Sequence, residues 1–109
     1  MNIAGTIAIS GHQITLEAPQ NRPDAIGARV NTWLPIVENL AAWVQDARAE
    51  VVEAYARREM KVTHCIYTQL NPGIQEGWRL RFGTRVFRIL GVVNMAGLGE
   101  LYRIDAVGI

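Results

Sequence analysis

Trp78-Arg-Leu-Arg-Phe-Gly-Thr-Arg-Val-Phe-Arg-Ile89 is the stretch whose reading decides the fold. Trp78, Leu80 and Phe82 alternate with Arg79 and Arg81, and beyond Gly83-Thr84 the residues Phe87 and Ile89 alternate with Val86 and Arg88. A period of two puts the apolar residues on one face of a strand, and the Gly-Thr step supplies a tight connection, so the stretch reads as a β hairpin.

The same period continues on both sides. Upstream, Val62, His64, Ile66, Thr68 and Leu70 alternate with Thr63, Cys65, Tyr67 and Gln69, until Asn71-Pro-Gly73 ends the run with turn chemistry. Downstream, the 94–99 segment makes a turn, and residues 101–107 form a last strand with Tyr102, Ile104 and Ala106 inward and Arg103 and Asp105 outward. Residues 61–107 therefore read as an antiparallel meander. Adjacent strands with short connections close readily into a small barrel when another element covers the open edge.

The first half is less regular. Residues 12–18 alternate, with Ile14 and Leu16 on one face and His12, Thr15 and Glu17 elsewhere, and Gly11 and Pro19 bound this strand. Two prolines, Asn21, Asp24 and Gly27 make residues 19–28 a polar loop. Residues 29–37 suit a strand through Val30, Thr32, Trp33 and Ile36, with Pro35 pointing to a sheet edge. From 38 to 60, Leu40, Ala41, Val44, Ala47, Val51, Ala54 and Tyr55 recur at helical spacing, and Glu53 and Arg57 form an i,i+4 pair. The run 40–44 also suits a buried strand, whereas 47–58 reads as helix.

Composition bounds the function. The 109 residues make one domain, residues 1–109, with 50% hydrophobic and 19% charged residues and a formal net charge of +1. So small a charge gives no argument for bulk nucleic-acid binding. No apolar run approaches the ~20 residues that span a bilayer, and the N-terminus lacks the basic residues of a signal peptide. The single cysteine, Cys65, has no internal partner, which fits a chain made in a reducing cytosol.

The residues that could carry chemistry do not converge in the sequence. His64 and Cys65 are neighbours on a strand, so they point to opposite faces and form no catalytic pair. His12 and His64 are two histidines without further ligands at a metal-binding spacing, so no metal is assigned. Gly91, Gly97 and Gly99 lack the following helix and lysine of a phosphate loop. No catalytic residue and no cofactor is nominated. Arg79, Arg81, Arg85 and Arg88 are the notable group. With Trp78 and Phe82 nearby they suggest a small-barrel nucleic-acid-binding module, in which Arg79, Arg81 and Arg88 track phosphate. Set against this, the aromatics fall on the inward face, which favours a solvated outer wall or salt bridges to a neighbouring subunit.

The order of features carries a family resemblance. Gln13-Ile-Thr-Leu16, a loop with Asp24 and Gly27, Trp33, Ala42-Trp43, Glu50, Val62-Thr-His64, Ile74, Trp78-Arg79, Phe82-Gly-Thr-Arg-Val-Phe-Arg-Ile89 and Val93-Asn94 together resemble the head-tail joining proteins, adaptors or stoppers, of tailed bacteriophages. The resemblance spans residues 12–105. The chain departs from the family pattern in lacking a glycine just before Glu50 and in ending Ile104-Asp-Ala-Val-Gly108 without a cysteine and a terminal acidic residue.

The resemblance implies a mainly β fold: a small antiparallel barrel of about six strands with one short helix before the C-terminal meander, and residues 40–44 as strand. It implies a structural subunit that is not an enzyme, in a homo-oligomeric ring of six or twelve copies in the virion neck, assembled in the host bacterial cytoplasm. Its partners would be the portal or adaptor protein on the head side, the tail or tail-terminator protein on the other, and double-stranded DNA in non-specific passage, with no membrane. In such rings the loop after the first strand gates the DNA channel or touches the next subunit, which nominates Gln20, Asn21, Arg22, Asp24, Ile26 and Gly27. The arginines at 79, 81, 85 and 88 are nominated as subunit contacts.

Overall fold

A computed structural model describes residues 12–23, 29–69 and 73–109. Six strands follow in chain order: β1 (His12–Pro23), β2 (Arg29–Asp46), β3 (His64–Thr68), β4 (Arg79–Phe82), β5 (Arg85–Asn94) and β6 (Tyr102–Gly108). One helix, α1 (Ala49–Ala56), lies between β2 and β3, and a single turn of 3-10 helix (Met95–Gly97) joins β5 to β6. The strands close into an antiparallel barrel in the order β1-β2-β3-β6-β5-β4. No helix among the described residues is long and apolar enough to cross a membrane.

The β4–β5 hairpin forms as its alternation requires. Leu80 pairs with Phe87, both fully inside, and Gly83 takes φ +61 at the first central position, which a tight II′ hairpin needs. β5 and β6 continue as a meander, but β3 does not pair with β4. It lies between β2 and β6, with Ile66 opposite both Val44 and Ile104. The second half is therefore a three-stranded meander, β4-β5-β6, with β3 added beyond β6.

Residues 40–44 are strand, as the family resemblance implies and against their helical spacing. Leu40, Ala42 and Val44 are buried at period two, opposite Ile14, His12 and Ile66 respectively. A place between two strands overrides the weak helical preference of alanine and leucine. Helix formation is confined to α1.

Two apolar layers result. Ile14, Leu16, Leu40, Ala42, Ile66, Leu80, Phe87, Ile89, Ile104 and Ala106 fill the barrel. Outside it, Val51 and Tyr55 of α1 cover Cys65, Tyr67 and Leu90, with Val62 and the flanks of Trp43 and Met60 closing the edge. Both faces of β3 are therefore buried. Glu59, at φ 58, turns the chain after α1, and the Met60 N–H closes onto the Tyr55 carbonyl.

Under α1 lies a polar cluster. Asp105 faces out of the barrel, as its parity requires, but the helix seals it completely. Its carboxylate accepts from the Tyr55 hydroxyl at 2.7 Å, from Arg103 at 2.8 and 3.2 Å, and from the Cys65 thiol at 3.5 Å. Burial, reinforced by Asp105, raises the Tyr55 hydroxyl well above its usual range and pushes the Cys65 thiol up to about 11. Both stay protonated donors at neutral pH, and Cys65 is an inert thiol. Gly91, which pairs with Asp105 across β5 and β6, leaves room for this arrangement: a Cβ there would lie 2.6 Å from the Tyr55 hydroxyl oxygen.

Two linked stability measurements test the cluster. Tyr55→Phe removes a hydrogen bond to a charged group and is expected to cost about 1.5–3 kcal/mol in denaturant unfolding. Gly91→Ala is expected to cost about 1–3 kcal/mol by overpacking. Adding Tyr55→Phe to Gly91→Ala should make the pair clearly non-additive, because the atom that the new Cβ strikes is gone. Simple additivity would contradict this packing.

Candidate functional site

Strand lengths set the geometry here. β4 pairs with β1 only from Thr15 to Glu17, and β3 pairs with β2 only from Ala42 to Asp46. Beyond those points, among the described residues, β1 and β2 pair with each other alone, as far as Pro23 and Arg29. The six β1 residues past Glu17 reach about 20 Å at roughly 3.3 Å per residue, and the molecule is correspondingly long, 54 × 33 × 27 Å. A two-stranded arm thus projects from a closed barrel.

The arm corrects one expectation. Residues 19–23 are strand and not loop, with Gln20 opposite Thr32, Asn21 opposite Asn31 and Arg22 opposite Val30. Pro19 and Pro23 are four residues apart, so their missing N–H groups fall on one edge of β1, and a strand tolerates this where that edge has no partner. Asp24, Ile26 and Gly27 lie outside the described residues.

The arm leaves the barrel through an irregular step. The four β1 residues from Ile14 to Glu17 are matched by the six β2 residues from Leu40 to Pro35, so β2 bulges twice. Asn39 takes φ 56 inside the first bulge, a conformation that asparagine tolerates better than most residues. Above the step the apolar stripe of the barrel interior continues without cover: Leu34 is opposite Ala18, on the face of Leu16, yet it is 44% exposed. Ile36, at the second bulge, is 39% exposed.

One side chain ties arm to barrel. Glu17, which lies off the face of Ile14 and Leu16, is only 6% exposed and receives the Arg79 Nε at 2.6 Å. The same guanidinium lies over the Trp33 ring, 4.4 Å from its centroid. Arg79 of β4 thereby clasps β1 and β2 together where they depart. Removing one partner of so buried a pair strands a charge and typically costs about 3–5 kcal/mol, and the ring contact adds about 0.5–2 kcal/mol.

The four nominated arginines separate. Arg79, Arg81 and Arg88 share the outer wall of β4 and β5, with Arg79 directly opposite Arg88. Arg79 is taken by Glu17, whereas Arg81 and Arg88 are exposed and make no ion pair among the described residues. Arg85 has the parity of Phe87 and turns to the barrel's lower end. It lies over that ring at 5.0 Å and meets the His64 Nε2 at 2.8 Å. Trp78 and Phe82 pack against the core, so no aromatic platform for bases stands beside Arg81 and Arg88. His64 and Cys65 point to opposite sides, and no metal-binding group of three appears among the described residues.

His64 accepts from Arg85 and bonds the Thr63 hydroxyl through Nδ1 at 2.9 Å, which makes it the neutral Nδ1–H tautomer. Burial, then the Arg85 charge, lowers its pKa, and the exposed Asp46 at 3.4 Å opposes them. A histidine whose folded pKa is depressed stabilises fully above the unfolded value and loses that contribution as pH falls through the folded one. Unfolding free energy should therefore decline as pH drops below about 6.5, less steeply in His64→Asn. An identical slope in the two would exclude His64 as its origin.

Glu17 and Asp105 are the structural anchors that periodicity missed. Each lies on an outward strand face whose cover comes from another element, and the one available signal was the carboxylate set in an otherwise regular strand.

Comparison with known proteins follows from this geometry. A search of curated proteins found no match. Among solved structures, the solution structure of protein SF1141 from Shigella flexneri 2a matches with a TM-score of 0.69 at 19% identity, covering 92% of this chain and 96% of that one. A chain in the virion of a native gene transfer agent particle matches with a TM-score of 0.56, also at 19% identity, covering 91% and 96%. At that identity they show a shared fold. The family model for phage head completion protein matches residues 11–107, nearly the whole sequence. The barrel with its projecting arm is therefore a structural component of phage particles, and the chain belongs to the phage head completion protein family.

Proposed function

We propose that this chain is the repeated subunit of a ring in the neck of a tailed phage, joining the head to the tail and helping to retain packaged DNA. The observation that carries this reading is the arm. The barrel satisfies its own strand edges by closing, whereas the arm's outer edges have no partner strand among the described residues and its Leu34 and Ile36 are exposed. An isolated two-stranded ribbon is marginal in water. Identical neighbours in a closed ring of six or twelve copies would cover every arm equally.

In this reading Gln20, Asn21, Arg22, Asp24, Ile26 and Gly27 line the DNA channel or touch the adjacent subunit. Arg81 and Arg88, exposed and unpaired on the outer wall, take carboxylates of a neighbouring subunit. Arg79 already holds Glu17 and Arg85 meets His64, which leaves Arg81 and Arg88 as the more available of the four nominated arginines. A channel through which DNA must slide carries few cations, since each phosphate contact adds affinity. The role is mechanical and not enzymatic. A portal or adaptor protein would lie on the head side and a tail or tail-terminator protein beyond, in the virion neck, after assembly in the bacterial cytoplasm.

Two experiments on assembled particles test this. Deleting residues 20–26 should leave a folded subunit, since the core clusters of the described residues are built from the barrel interior and the α1 layer, yet yield particles that lose DNA or fail to attach tails. Particles that keep both would refute the role of the arm. The charge reversal Arg81→Glu with Arg88→Glu should leave the purified chain folded, because both side chains are exposed, but block its incorporation. Normal incorporation would remove these arginines from the interface.

A further inference from the structure

We propose that the Glu17–Arg79–Trp33 clasp is a latch on a hinge, and that it sets the direction in which the arm leaves the barrel. Three independent features make the hinge. The register slips twice between Ile14 and Glu17, so the backbone bends where a continuous ladder would hold it straight. Asn39 holds a positive φ at that step. Beyond Glu17 on β1 and before Ala42 on β2, neither strand pairs with the barrel among the described residues.

Against this compliant step stands one side chain. Arg79 springs from β4, a barrel strand, and reaches Glu17 at the root of the arm and Trp33 farther out on its second strand. Trp33 belongs to neither core cluster, so its stacking on Arg79 is what ties the outer part of β2 to the barrel wall. The latch is weakened from behind. Arg88 sits directly opposite Arg79 on β5, a like-charge cross-strand pair that opposes holding the guanidinium in place. An anionic group arriving at Arg88 would relieve this repulsion and tighten the arm. The latch concerns the isolated subunit and stands whether or not the ring forms.

At this size the whole chain suits solution NMR, and residual dipolar couplings report orientation directly. In the native chain the amide couplings of arm and barrel should fit one common alignment tensor. In Trp33→Leu, and separately in the charge-neutral pair Glu17→Gln with Arg79→Gln, the arm couplings should fall below about half the values set by the barrel tensor, through added reorientation. The barrel couplings should not change. Arg88→Gln should leave the arm couplings at full size. Full-size arm couplings in both latch variants would overturn the inference. So would a collapse of barrel couplings along with those of the arm, which would make the clasp part of the barrel's own fold.

Discussion

A carboxylate with almost no access to water sits where β1 stops being barrel wall and becomes arm. Glu17 is tolerable there because Arg79 meets it at 2.6 Å and Trp33 covers the other side of the guanidinium. An unpaired charge at this depth would cost several kcal/mol. The contact joins three strands that otherwise separate: β4 ends its pairing with β1 at Glu17, while β2 continues outward with β1 alone. Below it the chain is a closed barrel. Above it the chain is a ribbon with uncovered edges and an exposed Leu34.

The division of labour follows from strand length. Short β3 and β4 limit the height of the barrel, and the longer β1 and β2 must therefore leave it. The barrel is secured twice, by its apolar interior and by the α1 layer, in which Tyr55 and Arg103 neutralise Asp105 over the space left by Gly91. The arm has no such second layer. Local stability falls where buried apolar contacts are few, so movement and new contacts concentrate in the arm while the barrel serves as a rigid mount.

Much of this was legible in the sequence. The parity of Ile14, Leu16, Leu80, Phe87, Ile89, Ile104 and Ala106 identified the barrel lining, because each assignment depends on a single strand's own period. Parity cannot say what covers the other face. Arg103 and Asp105 were assigned to the outside, which is true of the barrel but not of the molecule, since α1 lies over them. Parity puts Glu17 off the apolar face and cannot show its burial, because its partner is 62 residues away in sequence. The prolines at 19 and 23 read as loop, although an unpaired edge accommodates them within a strand. Residues 40–44 carried a helical spacing that family resemblance, and not periodicity, identified as strand. Of the four arginines, the split into one latch, two free cations and one partner of His64 required the β4–β5 register and the barrel's closure.

We propose that the arm, mounted on the barrel by its clasp, is the part of this chain that acts in the particle. Cryo-electron microscopy of the particle's neck, at a resolution that traces this chain, tests it most directly. The account predicts that every copy's arm lies against a neighbouring copy or faces the DNA channel, with Leu34 and Ile36 covered. Arms that project into solvent without touching protein or DNA, on subunits that contact one another through the barrels alone, would contradict it.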